Sequence, residues 1–179
     1  MKVFTKGHLY FTITGIVTLA ALYWGTALYL QAVNYAETAR GVDVYIVAPT
    51  APLALDSTFS ADILITNDKT PLNVMEAEVY FDPALFKVTD FTFSNSLCED
   101  RFIIDKAIDN DTGHLHVSCG TITPFTGNAT IFGTIHAVTL TSGVTNLTFG
   151  EKTHVYVHDG LGTEVARDTY SATLVVSGA

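Results

Sequence analysis

Two hydrophobic patterns divide this chain. From Leu9 to Ala36 there are 28 residues without a Lys, Arg, Asp, Glu or His. From Val42 onward, apolar and polar residues alternate at the strand period of two. The first pattern predicts a membrane-spanning helix, since about 20 mostly apolar residues cross about 30 Å of hydrocarbon at 1.5 Å per residue. Tyr10 and Phe11 near one end, and Tyr29 and Tyr35 near the other, suit the two membrane–water interfaces. Trp24, the only Trp in the chain, lies nearer the second end. A core helix apolar on all sides would need a large protein around it. The remaining chain is too small and too strand-like to supply one.

Lys2 and Lys6 precede the apolar run with no acid before it, so positive charge holds this end on the cytoplasmic side. The expected organisation is a cytoplasmic tail (1–8), a transmembrane helix (9–33), a short linker (34–41) and an extracellular domain (42–179). A cleaved signal peptide is the main competitor. Its apolar region is about 7–15 residues and ends in a small-x-small site. This run is longer, and Ala36-Glu-Thr-Ala39 is a poor match. Lys6-Gly7 before the run also resembles the cleavage site of type IV pilin precursors, with Thr12 where those pilins carry an acid.

The alternating region predicts strands over Val42–Val47, and over Phe59–Thr66 closed by Asn67-Asp68 and Pro71. Val74–Phe81 alternates most cleanly. Met75, Ala77, Val79 and Phe81 share the core face, and Val74, Glu76, Glu78 and Tyr80 face outward. Leu85–Phe93 follows after Asp82-Pro83. Phe102–Ile108 and His114–Cys119 form a hairpin through the turn formers Asp109–Gly113. Leu115, Val117 and Cys119 then point inward, and His114 and His116 outward. Gly120–Asn128 reads as a loop and Ile131–Leu140 as a strand apolar on both faces. Thr145–Phe149, Val155–Val157 and Ser171–Val176 complete about nine strands. No helical pattern follows Gly41, so the expected fold class is all-β, a nine-stranded antiparallel sandwich behind one N-terminal transmembrane helix.

The formal net charge is −9, and since Lys2 and Lys6 contribute two positive charges, the remainder carries −11. Such a domain does not suit nucleic acid, whose phosphates need Lys and Arg, and it repels anionic lipid. Cys98 and Cys119 are the only cysteines. Outside a membrane an even pair reads as a disulfide, worth about 3 kcal/mol for a loop of about 20 residues; two separate buried thiols are the alternative.

Candidate chemistry is sparse. Asp105, Asp109, Asn110 and Asp111 offer oxygens for Ca²⁺, but without the spacing of a helix–loop–helix calcium site, and a hairpin turn is the better account of them. His114 and His116 share one strand face and need a third ligand to hold a metal. There is no G-x-S-x-G, no H-E-x-x-H and no Gly-rich phosphate loop. The expectation is therefore a protein that is not an enzyme and needs no cofactor. Sequons at Asn110, Asn128 and Asn146 matter where the source glycosylates asparagine.

Ile65-Thr-Asn67, followed by Pro71-Leu-Asn-Val-Met-Glu-Ala-Glu-Val-Tyr-Phe-Asp-Pro-Ala-Leu-Phe-Lys-Val88, resembles the cohesin pattern: an alternating strand ending aromatic-Asp-Pro, then an apolar residue and Val. Phe132-Gly-Thr-Ile135 is similar to a later cohesin segment. The likeness covers about Val42 to Val176. It implies a nine-stranded jelly-roll sandwich and a protein-binding module at the cell surface, with a dockerin-like partner or another copy of itself. It also implies that the partner lies on the outward face carrying Val74, Glu76, Glu78 and Tyr80. Related carbohydrate-binding modules share the fold. After residue 33 there is no Trp for a sugar to stack on, so carbohydrate ranks below protein as the expected ligand, and a pilin-like filament subunit is the other alternative.

Overall fold

The computed structural model describes residues 18–30, 41–93, 96–98 and 102–178, without the side chains of Asp68, Lys69, Asn128 and Ala129. Residues 18–30 form a helix, α1, exposed at every position, with Leu19 69% and Trp24 68% accessible. Among the described residues no helix is long and apolar enough to cross a membrane. Of the expected span over 9–33, only residues 18–30 are among the described ones; its two ends, the tail before it and most of the linker lie outside them.

Ten strands follow: β1 (Val42–Val47), β2 (Leu53–Ala54), β3 (Thr58–Tyr80), β4 (Phe86–Thr92), β5 (Ile103–Asp109), β6 (His114–Thr139), β7 (Gly143–Phe149), β8 (His154–Val157), β9 (Ala166–Tyr170) and β10 (Ala172–Ser177). The all-β sandwich stands, and the strand count is corrected. β3 and β6, of 23 and 26 residues, each run through both layers. Counted as separate halves, they make twelve strands rather than nine. The first half of β3 pairs with β1 and the second half of β6, with β9 and β4 outside them. The second half of β3 pairs with the first half of β6, flanked by β8 and β5. A ladder of β2, β10 and β7 joins the end of β3 through Val79–Phe149 and Tyr80–Thr148. The sandwich is not wholly antiparallel, because β1–β9 and β2–β10 are parallel pairs.

Asn67-Asp68 and Pro71 do not end a strand, and Gly120–Asn128 is not a loop outside the sheet. Instead the ladder slips register four times between Ile63 and Val74 and continues. Asn67 makes this tolerable. Its carboxamide accepts from the Thr70 N–H at 3.0 Å and donates to the Thr70 carbonyl, so the bent backbone keeps its partners although both residues are buried.

The inner faces meet in one core. Val44, Ile63, Ile135 and Val88 come from one layer, and Met75, Ala77, Leu115, Val117 and Val155 from the other. Phe86 is fully buried and contacts Phe59 edge-on at 5.4 Å and Phe81 face-on at 5.1 Å. At the hairpin between β5 and β6, Gly113 takes φ 71°, and its carbonyl accepts from the Phe81 N–H at 2.9 Å. Cys98 and Cys119 form the expected disulfide, tying the segment before β5 to β6.

Candidate functional site

The outward face of the layer built by β8, β3, β6 and β5 is set by register. Glu78 lies opposite His116 and Tyr80 opposite His114. On β5, Asp105 lies opposite Ser118 and Asp109 opposite His114. On β8, His154 lies opposite Glu76 and Tyr156 opposite Val74. Period-two alternation on four adjacent strands therefore gathers acids, imidazoles and tyrosines onto one surface.

Its centre is His116. The ring Nε2 lies 2.6 Å from Glu76 Oε1 and Nδ1 lies 2.7 Å from Asp105 Oδ2. A carboxylate only accepts, and neutral imidazole carries a single N–H. Both contacts are hydrogen bonds only when the ring is doubly protonated. Burial alone would lower the His116 pKa, but the hydrogen bonds and charges of Asp105 and Glu76 outweigh it and hold the imidazole above its ordinary value.

Glu78 departs from the expectation of a solvated outward carboxylate, being only 5% exposed. Gly150 is the reason. A Cβ there would stand 2.2 Å from Glu78 Oε2, so its absence lets the β7–β8 turn close over the acid. Glu78 Oε2 accepts from the Lys152 N–H at 3.1 Å, and Oε1 lies 3.1 Å from His114 Nε2. Burial pushes the Glu78 carboxyl up, but the Lys152 amide, His114 and Tyr80 together bring it below the usual range. The Thr153 hydroxyl bridges the Glu78 backbone, accepting from its N–H and donating to its carbonyl, each at 3.2 Å.

Tyr80, 45% exposed, lies 5.0 Å from the His114 ring, and the His114 and His116 rings lie 6.5 Å apart. At the other end of β3, half-buried Val74 borders an apolar hollow of about 390 Å³ lined also by Phe102, Ile103, Ile104 and Ile122. Cys119, paired with Ile103 in the ladder, is buried and disulfide-bonded to Cys98.

Val74, Glu76, Glu78 and Tyr80 thus lie together as the alternation predicts, with Glu78 a clamp within the sheet rather than a free contact. Asp105, His114 and His116 belong to the same constellation. The signal for the histidines was their spacing of two on one strand. The Asp109–Gly113 cluster is a turn. Asp109 Oδ1 accepts from the Asp111 N–H at 2.9 Å and the Thr112 N–H at 3.2 Å, and Oδ2 from the Thr112 hydroxyl at 2.7 Å; these bonds, the hydroxyl foremost, lower the Asp109 pKa. Among the described residues no group of three or more His, Cys, Asp or Glu is arranged to hold a metal ion.

No family model and no curated protein matches the chain. Solved structures do. The third cohesin of ScaC from Acetivibrio cellulolyticus, solved with the ScaB dockerin, aligns at TM-score 0.62 and 16% identity, over 76% of this chain and 99% of that one. The cohesin of a type I cohesin–dockerin complex from Clostridium thermocellum aligns at TM-score 0.63 and 10% identity, over 77% and 94%. A non-cellulosomal cohesin from the archaeon Archaeoglobus fulgidus aligns at TM-score 0.60 and 14% identity, over 75% and 91%. At these identities the likeness is one of fold, and the fold of this chain is the cohesin-like β-sandwich.

Proposed function

We propose that this chain is a single-pass, membrane-anchored surface module that binds a protein partner, dockerin-like or a second copy of itself, through the outward face of β8, β3, β6 and β5. It holds that partner and performs no chemistry on it. The observation that carries the reading is the joined constellation of Glu76, His116, Asp105, Glu78, His114 and Tyr80 on one sheet face, with an apolar hollow at its Val74 end. Cohesin domains of this fold have been solved with dockerins bound. Glu76 and Asp105, 26% and 50% exposed, with a half-exposed Tyr on the same face suit a partner bearing Lys or Arg, since charge pairs speed encounter and aromatics supply rigid contact area.

The anchor rests on the apolar run Leu9–Ala36 and the Lys2/Lys6 asymmetry. In α1 the Thr26 hydroxyl donates back to the Leu22 and Tyr23 carbonyls at 3.0 and 2.9 Å, which satisfies it without water. The disulfide suits an oxidising exterior.

The test replaces Glu76 by Gln and Tyr80 by Ala in the fragment from Gly41 to Ala179. The variant should keep the wild-type circular dichroism spectrum and capture at least tenfold less of the partner that the wild-type fragment binds. Wild-type capture by the folded variant places the partner on another surface.

A further inference from the structure

The three sequons differ in what their amides already do. Asn128 has no described side chain. Asn110 spends its amide oxygen and one N–H on one residue: Oδ1 accepts from the Val88 N–H at 2.8 Å and Nδ2 donates to the Val88 carbonyl at 2.9 Å. An amide that pairs with both groups of one residue uses the N–H syn to its own oxygen. A sugar linked to the nitrogen of a trans amide takes that same syn position. Asn110 therefore cannot carry a sugar while it clamps β4.

Asn146, in Asn146-Leu147-Thr148 on β7, is different. Its side chain is exposed, and its only described hydrogen bond is at the oxygen, where Oδ1 accepts from the Thr173 hydroxyl at 2.8 Å. A sugar on Nδ2 leaves that bond in place and projects away from the buried Leu147. We propose that, of the two sequons whose side chains are described, Asn146 is the one that carries an N-linked glycan. In the transfer, Nδ2 bonds to the anomeric carbon of a polyprenyl-phosphate-linked oligosaccharide. The anomeric C–O bond to phosphate breaks, the lipid phosphate leaves, and the amide gives one proton to the transferase base. Because Thr148 lies opposite Tyr80, the glycan stands beside the Tyr80 end of the outward face and restricts approach from that side.

Transfer occurs on exported chains, so the inference rests on the orientation proposed above. The test is glycopeptide mass spectrometry on the full chain from its own cells, paired with protease added outside intact cells. The expected result is a glycan on the Asn146 peptide, lost in Asn146→Gln, with the Asn110 peptide unmodified. A bare Asn146 on a protease-accessible domain overturns this inference alone. A bare Asn146 on a shielded domain overturns the orientation with it. A glycan on Asn110 overturns the amide argument.

Discussion

His116→Ala tests the centre of the outward face. The side chain is 19% exposed and makes two hydrogen bonds to carboxylates, Glu76 being 26% and Asp105 50% exposed. Hydrogen bonds to charged groups contribute about 1.5–3 kcal/mol each. Asp105, half in water, regains most of its loss by hydration, and Glu76 regains less. The expected cost is about 2–3 kcal/mol at pH 6, or about 5–10 °C in melting temperature for a domain of this size. The cost depends on pH, and its sign follows from the raised pKa of the folded ring. A His whose pKa is raised by folding adds its full stability below its unfolded value of about 6.5, and loses it as pH rises through the folded value. Above that value the single N–H serves only one of two carboxylates. Thermal melts of wild type and variant should therefore differ clearly more at pH 6 than at pH 9. Equal differences at the two pH values, or an NMR titration of His116 at or below the ordinary histidine midpoint, would refute the doubly protonated bridge.

Replacing Cys98 and Cys119 together by Ser should lower stability by about 3 kcal/mol, read from the denaturant midpoint, because the bridge closes a loop with a sequence separation of 21; peptide mapping without reductant should recover the linked pair from wild type. Gly113→Ala should cost about 2 kcal/mol or more by the same measurement, since it forces a side chain to φ 71° and sets a Cβ 2.0 Å from the Phe81 carbonyl oxygen, a backbone atom that cannot step aside.

Alternation at period two was legible wherever one face of a strand is buried. Val74–Phe81 shows this best, with Met75, Ala77 and Val79 at zero exposure. It failed where turn formers are absorbed into the sheet. Asn67 and Pro71 carry the composition of a break, but Asn67 pairs with Thr70 inside a strand that goes on. β9 left no trace because an edge strand reading Ala-Arg-Asp-Thr-Tyr has no buried face to repeat. Its parallel pairing with β1 depends on residues more than a hundred positions away. The outward face was half legible. Glu76 and Glu78 stood out on one strand and His114 and His116 on another, but bringing Glu76 to His116 needs the β3–β6 register, which no local pattern encodes. The covering of Glu78 was hidden for a similar reason, since it comes from the approach of Gly150 in a later turn.

The two long strands shared between layers also dictate an order of assembly. Their pairing is nested: Tyr80 meets His114, and the ladder runs outward to Thr58 against Val138. Closure of the inner pair shortens the loop for the next, so each step costs less chain entropy than it would alone. The zipper crosses from one layer to the other without a break in the chain, which leaves no point at which half of the sandwich exists by itself. The parallel partners arrive last, when β9 reaches back to β1 and β10 to β2 across the greatest separations. Folding should accordingly be slow and all-or-none, in the manner of proteins dominated by distant contacts. On a growing chain the module stays open until almost its final residue emerges.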